Sequence, residues 1–374
     1  MMARLRIMKL HDQDWKISEK GETEYMLIAR APMRISFGGG GTDLAAYYMK
    51  YGGLVVSTSI NKYFYAVITT DESDDLQVIS ADYRSLFRHS PYNDLFWNGD
   101  LALPRAILHH FGIRRGLNLF VASEVPPGTG LGSSSAAAVT MVHAISTLLE
   151  QPMTKQQIAE LASFIEIQKM GMPIGKQDQY AASFGGLNRI TFNSEGVTVE
   201  PLHIEREVYH ALERRLMLFF TGSSRESTSI LKHQRKSTEQ QDESVLQALH
   251  NIKQVAVEVQ RCLEKGELDE FASLLHFSWQ EKRRLAPGLS TGFIDECYNL
   301  AREQGALGGK ITGAGGGGFL MLYCPEARQE TVTQALEERG LKRMNFRFEQ
   351  QGAKVILNVA SFFQSQFQSQ TGDR

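Results

Sequence analysis

Between Pro126 and Ala136 the chain reads Pro126-Pro127-Gly128-Thr129-Gly130-Leu131-Gly132-Ser133-Ser134-Ser135-Ala136. Glycines let a backbone approach a ligand closely, and this segment runs into a helical pattern whose apolar face is Ala138, Val142, Ile145 and Leu149. Free N–H groups and the dipole at such a helix start attract phosphate oxygens, and a serine hydroxyl can reach a magnesium ion. Residues 127–135 are therefore the expected phosphate-binding loop. It is not a Walker A loop, because no Lys-Ser/Thr pair follows the glycines, and it lacks the Gly-x-Gly-x-x-Gly spacing of a dinucleotide site. A structural turn alone would need only one or two glycines.

Two further glycine-rich segments carry polar groups. Arg30-Ala31-Pro32-Met33-Arg34-Ile35-Ser36-Phe37-Gly38-Gly39-Gly40-Gly41-Thr42-Asp43 would let Gly40 and Gly41 pack against a small polar ligand beside Thr42, while Asp43 accepts from its hydroxyls. A tight bulge with Asp43 as a helix cap explains the same residues. In Lys310-Ile311-Thr312-Gly313-Ala314-Gly315-Gly316-Gly317-Gly318-Phe319, Gly315 and Gly316 could lie against a ligand or against another loop.

The charged residues have competing readings. Glu166 falls at the edge of an apolar stripe made by Ile158, Leu161, Ala162 and Ile165, where a desolvated carboxylate needs a cationic partner. Asp178 precedes a short helical segment, 179–184, closed by Gly185, so it could be an N-cap. Arg225, in a Gly-Ser-Ser-Arg loop after the apolar run 216–220, could fork onto a phosphate or be a solvated loop residue; Lys176 leaves the same choice open.

These residues need a scaffold, and the pattern predicts one of mixed class. Segments 26–37, 54–70 and 117–125 read as strands, a helix begins near Ser135, and Thr154 with Gln157 forms a capping box at the next. The second half reads as a strand at 216–220, a helix with Val245, Leu249, Ile252, Ala256 and Val259 on one face, a strand at 319–323, a helix at 326–338 and short strands at 345–348 and 354–357. That order suits helices on one face of a mostly antiparallel sheet, an α+β arrangement. The expected divisions are a polar extension (1–24), an N-terminal domain (25–200), a C-terminal domain (201–360) and a Gln/Ser-rich tail (361–374).

Composition excludes several classes. The 374 residues favour two domains sharing a cleft, where small molecules commonly bind. Forty Lys+Arg against forty-two Asp+Glu imply no general attraction to nucleic acid or to an anionic membrane. Three scattered cysteines without zinc or disulfide spacing predict buried thiols, and no apolar run approaches a membrane span, so a cytoplasmic location is expected. A homodimer is left open.

Taken together and in this order, the three glycine-rich segments resemble the GHMP kinases, the family of galactokinase, homoserine kinase, mevalonate kinase and phosphomevalonate kinase. The resemblance covers residues 26–357 and implies an N-terminal domain like the second domain of ribosomal protein S5 and a ferredoxin-like C-terminal domain, with ATP, Mg²⁺ and substrate between them. It implies that Asp178 is the base or orienting group for the attacking hydroxyl, that Arg34 stabilises the deprotonated nucleophile and the transferring group, and that Glu166 holds Mg²⁺ with Ser134. Gly39 and Gly40 stand where galactokinase and mevalonate kinase carry Glu-His, whereas Thr42-Asp43 matches the Thr-Asp of galactokinases. Within the family the chain looks most like the kinases of D-glycero-D-manno-heptose 7-phosphate, on Ala31-Pro32-Met33-Arg34-Ile35-Ser36-Phe37, Gly175-Lys176-Gln177-Asp178-Gln179-Tyr180 and Thr221-Gly222-Ser223-Ser224-Arg225. The fucose kinases share similar features. A non-catalytic sugar and ATP sensor would have no need of Arg34, Glu166 and Asp178 together.

Overall fold

Two long strands organise the first half of the molecule. The structure is a computed structural model describing residues 23–362 apart from 71–74, 83, 90–98, 100, 114–115, 223–227 and 287. β1 (Thr23–Gly38) and β2 (Gly53–Thr70) pair antiparallel, with register shifts at Pro32/Met33 and Ser36/Gly38. The first shift falls where proline has no N–H to give to the ladder. β2 then uses its other edge twice. Its Phe64–Thr70 part pairs with β5 (Leu117–Ser123), and its Gly53–Thr58 part pairs with β6 (Leu187–Phe192). β3 (Leu76–Ser80) runs parallel to β5, β4 (Ser85–His89) completes that end, and β7 (Val197–Pro201) extends β6.

The helices of this half are α1 (Ala45–Tyr51), α2 (Ala102–His110), α3 (Ser133–Leu148), α4 (Lys155–Ser163) and α5 (Gln177–Phe184). α3 is buried along most of its length, and Val139 and Val142 join Leu27, Ala29 and Ile35 of β1 in the main core. The capping box forms as the sequence indicates, with the Thr154 side chain accepting from the Gln157 N–H. α4 does not end cleanly but widens into a π-helical turn, Phe164–Lys169.

The second half contains α6 (Arg206–Arg215), β8 (Leu216–Phe220), α7 (Thr228–Glu239), α8 (Glu243–Lys265), α9 (Leu268–Arg283), α10 (Gly292–Glu303), β9 (Gly308–Ile311), β10 (Phe319–Tyr323), α11 (Gln329–Glu337) and β11 (Lys342–Met344). Its sheet is antiparallel throughout, in the order β11-β8-β10-β9. Met217, Phe219, Leu320 and Leu322 pack with Trp279, Tyr298 and Val332 from α9, α10 and α11. The alternate residues Leu218 and Met321 join the main core with Val255 and Val259 of α8, so both faces are covered rather than one.

Two expectations are corrected here. Residues 345–348 are not a strand: the Arg347 and Phe348 N–H groups donate to the Asn61 and Glu213 side chains, and Phe348 inserts between Phe37 and Tyr209. The last strand, β12 (Lys354–Phe362), is longer than expected and pairs antiparallel with β1. The expected C-terminal domain of 201–360 thus gives its final strand to the N-terminal sheet. The three cysteines are buried and free, and among the described residues no helix is long and apolar enough to cross a membrane.

Candidate active site

The turn from β5 into α3 presents an open helix start, a geometry that can receive an anion. Gly132 caps α3 with φ 80° and has no side chain to bond the first N–H groups, and among the described residues no other side chain does so, leaving the Ser133–Ser135 end open. A Cβ at Gly132 would lie 3.2 Å from Asp178 Oδ2, so only glycine brings that carboxylate to the lip of the loop without crowding. Thr129 and Leu131 are turned inward. Thr129 donates to the Pro126 carbonyl at 2.9 Å, Leu131 is buried in the core, and only their backbones can meet a ligand.

Arg34 and Asp178 meet at this lip. Arg34 Nε lies 2.8 Å and its second terminal nitrogen 2.6 Å from Asp178 Oδ1, while the remaining nitrogen donates to the Gly130 carbonyl at 2.7 Å. The Arg34 side chain is 4% exposed and that of Asp178 24%, so the carboxylate faces the cleft from a buried cation. Asp178 is the second residue of α5 and makes no capping bond, which removes the N-cap reading.

Glu166 sits in the π-helical turn and is fully buried. Ser134 Oγ donates to one of its oxygens at 2.8 Å and Gln179 Nε2 to the other at 2.6 Å. Burial pushes its carboxyl up to about 7 against these hydrogen bonds. Among the described residues no cation pairs with it. A buried carboxylate beside a serine at a phosphate-binding helix start fits Mg²⁺, which takes oxygen ligands.

A cleft of about 170 Å³ runs between the two halves, lined by Arg34, Gly40, Gly41, Asp43, the phosphate loop, Gln177, Asp178, Lys282, Gly313 and Gly315. Asp43 is tethered, accepting from the N–H of Gly41 at 2.9 Å, the N–H of Gln177 at 3.1 Å and Gln177 Nε2 at 3.2 Å. Burial, then the neighbouring Asp178, raises its pKa. It does not cap α1, whose capping residue is Leu44.

Other expected contacts are placed elsewhere. Thr42 is buried, its hydroxyl bonded to the Gly39 carbonyl at 2.8 Å and to the Leu54 N–H at 3.1 Å, so it ties the glycine loop to β2 instead of facing the cleft. Lys176 lies over the Tyr48 ring at 5.5 Å and does not line the cleft. Gly316 is held by its N–H to the Leu289 carbonyl. The third glycine segment packs on the phosphate loop, where Cβ atoms at Gly313 and Gly318 would collide with Gly130 and Thr129. Arg225 lies outside the described residues.

Sequence reasoning missed Gln177, Gln179, Lys282 and Lys310. Gln177 and Gln179 flank Asp178, and α5 turns their amides toward Asp43 and Glu166 respectively. Lys282 hides in the run Glu281-Lys282-Arg283-Arg284, which reads as a solvated helix end. Its amine instead donates to the carbonyls of Ile311, at 3.2 Å, and Gly313, and burial with the nearby Arg34 pushes it down to about 7.

The GHMP kinases N terminal domain pattern matches residues 101–186 and the GHMP kinases C terminal pattern residues 259–342. D-glycero-alpha-D-manno-heptose 7-phosphate kinase of Campylobacter jejuni is 33% identical over 331 residues, which is 87% of this chain and 97% of that protein. A D-glycero-D-manno-heptose 1-phosphate kinase from Bacteroides thetaiotaomicron has a solved structure with a TM-score of 0.73 at 28% identity, covering 88% of this chain and 98% of that one. A putative sugar kinase from Campylobacter jejuni gives 0.71 at 30% identity, covering 91% and 100%. With the glycine loop before α3, the buried Glu166 and the Arg34–Asp178 pair at one cleft, the chain belongs to the GHMP kinases, ATP-using phosphotransferases with an alcohol group as acceptor.

Proposed function

We propose that the chain transfers the γ-phosphoryl group of ATP to the anomeric hydroxyl of D-glycero-D-manno-heptose 7-phosphate, giving the 1,7-bisphosphate for nucleotide-heptose synthesis. The observation that carries this reading is the Asp178 carboxylate, held by Arg34 beside the open start of α3. The heptose phosphate named for the Campylobacter relative supplies the acceptor. The acceptor O–H gives its proton to Asp178 as its oxygen bonds to the γ-phosphorus, and the bond from that phosphorus to the ADP oxygen breaks. Phosphoryl transfer asks mainly for positioning and charge stabilisation, which the α3 N–H groups and Arg34 provide. An anomeric hydroxyl is more acidic than an ordinary alcohol, which eases the demand on a carboxylate base. Ser134 and Glu166 would hold Mg²⁺. Bound there, the ion would neutralise charge on the nucleotide phosphates.

The test is coupled ADP release from MgATP with D-glycero-D-manno-heptose 7-phosphate, L-fucose, D-galactose, D-mannose and mevalonate. Selective turnover of the heptose phosphate is expected. Turnover confined to L-fucose or another free sugar would overturn the acceptor assignment, and silence with every compound despite binding would overturn transfer.

A further inference from the structure

Deep in the cleft, a smaller cavity of about 20 Å³ lies among Arg34, Ser36, Gln177, Lys282, Lys310 and Gly313. Three basic groups converge on it, and among the described residues only Arg34 makes an ion pair with a carboxylate, although Asp43 lies near enough to Lys282 to favour its charged form. Lys310 is 5% exposed and donates to the Phe37 carbonyl at 3.0 Å. An ammonium has three N–H donors, so two of them have no acceptor among the described residues. Lys282 bonds only to carbonyls, and neither lysine has a carboxylate within ion-pair reach among the described residues. Ser36 Oγ is buried and has no hydrogen-bond partner among the described residues.

A buried amine with unused N–H donors, a half-buried second amine and an orphan hydroxyl are costly to crowd together unless an anionic ligand completes them and favours their protonated forms. The repulsion is direct, since Lys282 and Arg34 lower the pKa of the Lys310 amine in addition to its burial. The cavity has room for one or two water-sized groups, the size of a phosphate oxygen. Arg34, Gln177, Lys282 and Gly313 line both this cavity and the wider cleft, where the rest of such a group would fit.

We infer that Lys282, Lys310 and Ser36 form the subsite for the phosphate that the acceptor sugar already carries. The inference rests on the sugar-phosphate reading above and assigns that phosphate to residues outside the phosphate loop. The lysines act as point charges, and Ser36 gives a directed hydrogen bond. The reacting hydroxyl then points to Asp178 across the same cleft.

The experiment is calorimetric binding of D-glycero-D-manno-heptose 7-phosphate, of the unphosphorylated heptose and of MgATP to the full chain and to Lys282→Met and Ser36→Ala. Lys282→Met is expected to lose about ten-fold or more of the preference for the phosphorylated sugar, and Ser36→Ala about three-fold, with MgATP affinity kept within about two-fold. Equal weakening of both sugars in both variants would reduce these residues to loop support through Ile311 and Gly313. A loss confined to MgATP would give the subsite to the transferring phosphoryl group, and a parent protein without preference for the phosphorylated sugar would overturn the inference outright. Selective binding without turnover would leave the subsite standing while removing the transfer reading.

Discussion

Replacing Asp178 separates its chemical role from its structural one. In the parent protein the Arg34 guanidinium is almost fully enclosed, with two contacts to Asp178 Oδ1 at 2.8 and 2.6 Å and one to the Gly130 carbonyl at 2.7 Å. Asp178→Ala removes the first two and leaves a buried charge with a single neutral acceptor. Breaking a fully buried pair costs about 3–5 kcal/mol, but the 24% exposure of the Asp178 side chain lets cleft water replace part of it, so about 2 kcal/mol is expected. Asp178→Asn keeps an acceptor oxygen and should cost about 1 kcal/mol. Both should lose about 10²- to 10⁴-fold in kcat, because neither can take the proton. The assays are urea unfolding and coupled ADP release, with Arg34→Met/Asp178→Ala as the closing corner of a double-mutant cycle. The double variant should be less destabilised than the sum of its singles, since removing the cation relieves the unpaired charge. Additive stabilities, or turnover by Asp178→Asn within about three-fold of the parent, would refute the reasoning.

Glu166→Gln should lower ADP release at least about 100-fold and raise the Mg²⁺ concentration needed for half-maximal rate, read from a Mg²⁺ titration at saturating ATP. Gly130→Ala places a Cβ 2.6 Å from the Thr312 carbonyl oxygen at φ 81°, so thermal unfolding should show a loss of about 1–3 kcal/mol together with a smaller stabilisation by MgATP. The Lys282 amine, lowered from 10.5 to about 7, binds fewer protons in the folded than in the unfolded chain between those values. Parent stability from this group therefore rises with pH between 7 and 10.5 and is least below 7. Comparing urea midpoints of the parent and Lys282→Met at pH 7 and pH 9.5 should show a gain of about 1–2 kcal/mol in the parent alone, discounted because the side chain retains solvent contact.

The glycine turn from β5 into α3 was legible because its composition is local: glycines, then serines, then an apolar helical repeat. The same holds for α8, whose five expected face residues are all buried, and for the Thr154 capping box. Glu166 was legible only in part. Its place at the edge of a regular helical stripe understates its burial, because the π-helical turn rotates it fully inward toward Ser134 and Gln179. Thr42 and Lys176 are polar for reasons of packing, one tying a loop to β2 and the other covering Tyr48. Sequence alone does not separate that use from ligand contact. Lys282 and Lys310 come to line one cavity only because α9 and β9 bring together residues from a charged run and a short buried strand.

The pairing of β12 with β1 has a consequence for how the chain is made. As the chain emerges from the ribosome, β1 is made well before the segment it pairs with and meets this partner only when residues 354–362 appear. Until then the backbone groups on that edge of β1 face water, a bare rim that can template mispairing with another nascent chain. That sheet is therefore sealed by a strand made long after β1, and a chain terminated shortly before Lys354 would carry its cleft residues with that sheet edge unprotected.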